Sequence, residues 1–343
     1  MKHYFPAALL ALLPGVALAV APQVPLYKGL KAWVVGCDNT RQCTAVSAEE
    51  GTQDLPLTVS IVREAGPDGP LRVSISSMSD LNGALALDGK ALKSPLQKGG
   101  AEQPDWMASG PQALALIDEL RNAGRLSAST TDGNASASLS GLSAALLLID
   151  DVQGRLGTST ALIRRGTAPA SSVPPAPPLP DAPGFKAATA LGDAQAQQIS
   201  AAVINATQAD WKEDDAGAIP VEGQAYALGE HSVLVSVRYG CGAYNCGYAL
   251  YQVSRTAPYA PQPVHVLDVA DGTLGGEPAG YVDFDPATGV LTSYNKGRGI
   301  GDCGISQSWQ YDGARFVPRS LAQMDRCNGA TADYWPVLWR TGG

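Results

Sequence analysis

Six cysteines fall into three sequence-neighbour pairs, Cys37/Cys43, Cys241/Cys246 and Cys303/Cys327, in a chain of 343 residues. Many pairings are open to six cysteines, but short loops close first, so neighbour pairing is the simplest. Each bridge over such a loop stabilises by roughly 2–4 kcal/mol, less where the loop is strained. None of the pairs is a C-x-x-C, and His231 and His265 show no ligand spacing beside them, so no metal site is expected. The pattern reads as a set of structural disulfides at Cys37, Cys43, Cys241, Cys246, Cys303 and Cys327. Such a set belongs to an oxidising compartment.

The N-terminal residues agree with that compartment. Lys2 and His3 form a short basic region, Ala7 to Leu18 is apolar with Pro14 and Gly15 inside it, and Ala17-Leu18-Ala19 is a small-x-small cleavage site. Residues 1–19 therefore read as a cleavable signal peptide, and the expected location is the periplasm. No cysteine near the site offers a lipid anchor. This run is too short for a membrane span, and no later stretch is long enough. Cleavage removes Lys2 and no acid, leaving 23 − 32 = −9. An acidic chain with scattered Lys and Arg is a poor nucleic-acid binder and suits a cationic partner. Only 16% of residues are charged, against 38 Gly and 25 Pro, which favours turns and short strands over long helices.

The length suits two domains. Ser171-Ser172-Val173-Pro174-Pro175-Ala176-Pro177-Pro178-Leu179-Pro180 cannot build a packed core and tends to extended polyproline II, so 166–185 is expected to link a domain at 20–165 to one at 186–343. In the first, 57–62 and 71–76 alternate as half-buried strands around Asp68-Gly69, and 125–130 and 135–139 form a hairpin at Asp132-Gly133. Helices are expected at 111–123, with Pro111 in its first turn and Gly124 past its end, and at 142–152. The second domain reads as a helix over 194–206 and then an antiparallel meander: 232–237, 248–253, 264–269, 281–284, 290–294, 307–311 and 315–318. The fold class is α+β, mainly antiparallel β, in two β-rich, disulfide-stapled domains with a few short helices.

Two segments stand out as candidate binding elements. Asn295-Lys296-Gly297-Arg298-Gly299-Ile300-Gly301-Asp302-Cys303-Gly304 combines flexible backbone with charge. It reads either as an anion-recognition loop or as a tight connection whose ions pair internally beside a disulfide; it lacks the P-loop order. Tyr239-Gly240-Cys241-Gly242-Ala243-Tyr244-Asn245-Cys246-Gly247-Tyr248 places three tyrosines on a stapled turn, which serves either as a rigid contact surface or as a cover for the sheet. Candidate binding residues are Tyr244, Asn245, Lys296, Arg298 and Asp302. Asp283-Phe284-Asp285-Pro286 carries too few oxygens for calcium and reads as a turn. Asp150-Asp151 and Glu213-Asp214-Asp215 read as helix-end or solvated acids. Trp335-Pro336-Val337-Leu338-Trp339-Arg340 is expected to pack back on the second domain. There is no G-x-S-x-G, H-E-x-x-H or S-x-x-K, so no catalytic residue and no cofactor is assigned.

Trp33-Val34-Val35-Gly36-Cys37-Asp38-Asn39-Thr40-Arg41-Gln42-Cys43 resembles the opening motif of the DUF1176 family of exported proteobacterial proteins. Gly141-Leu142-Ser143-Ala144-Ala145-Leu146 with Asp150-Asp151-Val152-Gln153-Gly154-Arg155 is similar to its mid-chain motif. Gly242-Ala243-Tyr244-Asn245, the run Lys296 to Gly304 and Trp335 to Arg340 are similar to its C-terminal motifs. The first half also loosely resembles the invasion-associated locus B type of exported domain. The family's function is unknown, so the resemblance implies no site residues. The expected function is a non-catalytic binding or accessory protein of the cell envelope, its partner an envelope protein or a cationic cell-wall hydrolase that it inhibits. The alternatives are a cell-wall-modifying hydrolase whose Ser, His and acid are far apart in sequence, and a structural or stress-protective envelope protein.

Overall fold

The computed structural model describes residues 22–51, 54–99, 106–212, 219–267, 274–276 and 278–343. The segment 1–19, the acids Glu213 to Asp215 and the far end of the strand expected at 264–269 lie outside the described residues.

The first sheet begins as a meander of β1 (Leu26–Leu30), β2 (Trp33–Cys37), β3 (Cys43–Ser47), β4 (Leu55–Arg63) and β5 (Leu71–Ser77). Two-residue strands follow, β6 (Ala86–Leu87), β7 (Lys90–Ala91) and β8 (Gln97–Lys98), then β9 (Trp106–Ser109) beside β5. The hairpin β10 (Arg125–Thr130) and β11 (Gly133–Ser138) joins through a short parallel contact of β11 with β4, at Ala135 and Ser136; the remaining pairings are antiparallel. Helices α1 (Gly110–Leu120) and α2 (Leu142–Val152) cover one face. Their apolar residues recur at helical spacing: Leu116, Ile117 and Leu120 in α1, and Leu142, Leu146 and Ile149 in α2, meet Trp33, Val35, Ile61 and Ile75 in one core.

Strands β2 and β3 are buried at every residue. A strand alternates its side chains between two faces, so this requires cover on both. Trp33, Val35 and Cys37 face the helices. Val34 and Val46 face Trp335, Ala330 and Met324 from the far end of the chain.

The second sheet is an antiparallel meander, β12 (Glu222–Ala227), β13 (Ser232–Cys241), β14 (Cys246–Ser254), β18 (Ala279–Asp285), β19 (Val290–Lys296), β20 (Gly304–Tyr311), β21 (Phe316–Met324) and β22 (Val337–Arg340). Short strands β15 (Gln262–Pro263), β16 (Val266–Leu267) and β17 (Leu274–Gly276) lie beside it. Helix α3 covers one face, burying Ile199 and Val203 on Val233, Val235 and Val253. It runs over Asp193–Trp211, beyond the expected 194–206, and its last turn is held by Trp211 stacked on Tyr239 at 6.2 Å. The other face buries Leu234, Phe284, Leu291, Trp309 and Phe316. In an antiparallel meander alternate turns share an end. The turns after β18 and β20 therefore lie at one end of the sheet, and the turn after β19 and the segment 325–336 at the other. The turn after β13 joins the latter group because β14 meets β18 only through Cys246 with Gly280 and Gly247 with Ala279, and Asn245 there bonds to Lys296.

All three neighbour disulfides form: Cys37–Cys43, Cys241–Cys246 and Cys303–Cys327. They fit an oxidising, extracytoplasmic setting. No described helix is long and apolar enough to cross a membrane. The Pro-rich segment is fastened at both ends. Val173 is buried with Pro174 against Gly154, while Ala182 N donates to Gly342 O and Gly342 N to Pro180 O.

Candidate functional site

Both disulfide-closed hairpin turns present an asparagine that clasps a distant backbone. In the turn after β13, Gly242 N donates to Asn245 O and the bridge fixes the ring. Asn245 Nδ2 donates to Lys296 O (2.7 Å) and its Oδ1 accepts from Lys296 N (3.0 Å). A side-chain amide has a donor and an acceptor side by side, and a single residue's backbone offers their complements. The tyrosine turn is thereby locked to the Gly/Arg loop.

That loop, 297–303, folds back over β19. Tyr294 donates through its hydroxyl to Gly301 O, and its ring stacks on Trp335 with centroids 5.6 Å apart. Gly304, at φ 140°, is required by proximity: a Cβ there would lie 2.0 Å from Asn295 O. Tyr244 lies against Gly299, and Lys296 Nζ sits 4.5 Å from the centre of the Tyr281 ring. Tyr244, Tyr281 and Ile300 are 38%, 49% and 63% exposed and crowd this end of the sheet with Arg298. Tyr248, by contrast, is half-buried.

Asp302 does not join them at the surface. It is 3% exposed, takes Arg298 Nε (2.7 Å) and Nη2 (2.5 Å) on its two oxygens, and accepts Gly329 N at 2.6 Å. Burial opposes its charge, but the hydrogen bonds from Arg298 and Gly329 and the guanidinium charge prevail and hold the carboxyl below the usual range. Of the two alternatives for this loop, internal ion pairing is the one observed. Arg298 is consequently fixed in place rather than free for an external anion.

The C-terminal segment departs further from expectation. It packs on both halves. Val337–Arg340 forms β22 on β21, as a strand of the second sheet. Pro336 and Leu338 simultaneously press on Gly36, where a Cβ would approach them to 2.4 and 2.9 Å. Asn39 Nδ2 donates to Arg340 O and Asn39 Oδ1 accepts from Arg340 N, both at 3.0 Å, repeating the clasp of Asn245. Arg340 Nε lies 2.5 Å from Oδ2 of the fully buried Asp38. Further along the seam Tyr27 donates to Asp325, Arg326 donates to Lys31 O and Asn328 to Ser47 O. Trp339 belongs to this seam, half-buried beside Tyr27 and Leu338, away from Tyr244. The mid-chain Asp150 is likewise structural. It is buried and accepts N–H bonds from Leu162 and Ile163, while its neighbour Asp151 is the solvated one. Burial pushes the Asp150 carboxyl up against those bonds.

The two described histidines are neighbours in space. His231 and His265 line one open cleft of about 680 Å³ at the opposite end of the second sheet, with Ser232, Ser254 and Arg315. His265 also borders a smaller pocket with Asp210 and Trp211; Asp210 there accepts the Tyr251 hydroxyl. Sequence reasoning missed this cleft because its walls come from β13, β14, β15 and the turn after β20, no two of them sharing a motif.

A family model for proteins of unknown function, DUF1176, matches residues 27–342. The chain is 30% identical over 350 residues to the uncharacterised protein YpfG of Escherichia coli (strain K12), covering 96% of each chain. The crystal structure of invasion-associated protein B from Bartonella henselae aligns with 38% of this chain and 99% of its own, at 18% identity and a TM-score of 0.27. By a match spanning almost every residue from Tyr27 onward, the chain belongs to the DUF1176 family of proteins of unknown function.

Proposed function

We propose that this chain is an exported, non-catalytic contact protein of the cell envelope, and that it holds a protein partner on the surface formed by Tyr244, Tyr281, Lys296, Arg298 and Ile300. The observation that carries the reading is the Asn245–Lys296 clasp, which joins two turns far apart in sequence into one rigid surface. Exposed aromatic and aliphatic side chains grouped on fixed backbone, with an Arg among them, are what interface cores use. Preformed geometry reduces the entropy lost on binding. Asp302 acts from beneath, holding Arg298 in position.

The surface's own Lys296 favours a partner with an apolar patch and an acidic rim, the Arg298 charge being met by Asp302. The net charge of −9 left after signal cleavage supports the other version, inhibition of a cationic cell-wall hydrolase; loss of lysozyme activity at micromolar protein would favour that version, and unchanged activity would remove it. The contact reading is tested by passing an envelope fraction over the immobilised chain and over a Tyr244→Ser, Ile300→Ser variant. A specific protein retained by the first and lost by the second, with equal urea midpoints, is expected. Equal retention by both refutes the surface.

One observation favours a hydrolase as the second reading: His231 and His265 share a cleft with Ser232 and Ser254. A nucleophile–histidine pair needs a third group to orient the imidazole. No carboxylate is among the described residues lining that cleft, which leaves the contact reading ahead.

A further inference from the structure

We propose that the cleft between His231, His265 and Arg315 is a second binding site, specific for a small organic anion with an apolar body. Its inner wall is apolar: Val253, Tyr311 and Phe316 line it and are each at most 4% exposed. Its rim is basic. His231, His265 and Arg315 are all exposed, and the described lining residues include no Asp or Glu. In a chain with a net charge of −8 the one formal charge among the described lining residues is the cation of Arg315.

The nearby acids are accounted for. Asp312 Oδ2 lies 3.8 Å from Arg315 Nε, beyond hydrogen-bonding reach, and the carboxylate is held in its own turn by the N–H groups of Ala314 and Arg315 on Oδ1. Asp210, in the adjoining pocket, accepts from Tyr251. Glu230 precedes His231 and does not line the cleft. Arg315 is left 67% exposed with one long ion pair, so its guanidinium fork is open to a ligand carboxylate or phosphate. Ala260, in the wall beside β15, is held at φ 45°, a conformation that a non-glycine residue adopts only where its surroundings impose it.

A volume of about 680 Å³ is that of a small-molecule site, and such sites combine an apolar lining with a few polar groups that orient the ligand. A negative headgroup at the rim and a hydrocarbon or aromatic body on Tyr311 and Phe316 match both parts. This site stands apart from the contact surface. Cys246 and Ser254 end the same strand, about 25 Å apart at strand rise, so failure of either proposal leaves the other standing.

The chain carries three histidines, His3 and these two, so the imidazole signals of His231 and His265 in a proton–carbon NMR spectrum report on the cleft directly. Octanoate, octanol and inorganic phosphate serve as probes of the combined, apolar and charged features. Saturable shifts of both signals are expected with octanoate, with octanol and phosphate at least about tenfold weaker. Arg315→Gln should weaken octanoate about tenfold. Arg315 is exposed, so its urea midpoint should stay at the wild-type value. Octanol binding as tightly as octanoate would overturn the anion requirement, and phosphate binding as tightly would overturn the apolar one. No saturable shift with any probe would overturn the site.

Discussion

Arg340→Met removes the cation that neutralises a fully buried carboxylate across the seam between the two halves. Asp38 is 0% exposed. Its Oδ1 accepts three bonds from its own turn, from Thr40 N (2.8 Å), Thr40 Oγ1 (2.8 Å) and Gln42 N (2.9 Å). Its Oδ2 has Arg340, at 2.5 Å. Breaking a buried pair from one side costs roughly 3–5 kcal/mol, because the surviving charge is stranded. Two features reduce that figure here. The Arg340 side chain is 36% exposed, and the carboxylate keeps its three turn bonds. The expected loss is about 2–3 kcal/mol, including the bond from Arg340 to Thr40 Oγ1. Urea unfolding of the oxidised protein measures it. Asp38→Asn in the same chain removes the stranded charge, so the double variant should be more stable than the sum of the single losses by about 1–2 kcal/mol. A single variant within about 0.5 kcal/mol of wild type, or strictly additive losses, would refute the reasoning and reduce the Asp38–Arg340 pair to a surface contact.

Gly36→Ala should destabilise by about 1–3 kcal/mol, since its Cβ would overlap Pro336 and Leu338 and neither a strand nor a proline ring yields easily; an unchanged urea midpoint would show that the seam is loose. Asn245→Ala deletes both bonds to the Lys296 backbone, so a loss of about 1–2 kcal/mol is expected, together with faster amide hydrogen exchange in 241–246 and 297–303 but not in β2 and β3. Asp302 has a folded carboxyl below its unfolded value, so its contribution is present above about pH 4 and is lost as pH falls through the lower folded value. The stability difference between wild type and Asp302→Asn should therefore be constant from pH 7 to about pH 5 and shrink below about pH 4; a difference that grew on acidification would contradict the sign.

The local elements were readable where local rules govern them. Leu142 to Val152 is helical at the expected residues because its apolar spacing and Gly154 agree. The hairpin at Asp68-Gly69 turns where the turn chemistry places it, and the one expected at Asp132-Gly133 turns one residue earlier, at Thr131-Asp132, with Gly133 already paired to Thr130. Strand β12 and helix α3's last turns were harder. Glu222 to Ala227 has no clean alternation, and Trp211 is held by Tyr239, a residue of another element. The seam between halves was the larger omission. It did leave a trace, in that Gly36 is a lone glycine inside an otherwise apolar strand, a sign of close backbone approach. Nothing in the sequence identified Pro336 and Leu338 as what approaches. The Arg298–Asp302 pair was legible as a spacing but not as a burial: four residues separate two ions, and only Gly329, brought close by the Cys303–Cys327 bridge, turns one of them inward. The joining of Asn245 to Lys296 depends on where the short β14–β18 contact places the turn after β13, a property of tertiary packing rather than of either motif.

The central claim is that Tyr244 and Ile300 contact a partner in the envelope. A photoreactive amino acid placed at Ile300, at Tyr244 and, as a control, at the exposed Leu156 on the first half tests it in living cells. An ultraviolet-dependent adduct of one discrete mass is expected from positions 300 and 244, absent from position 156 and diminished by Asn245→Ala. Identical patterns from all three positions, or no adduct from any, would contradict it.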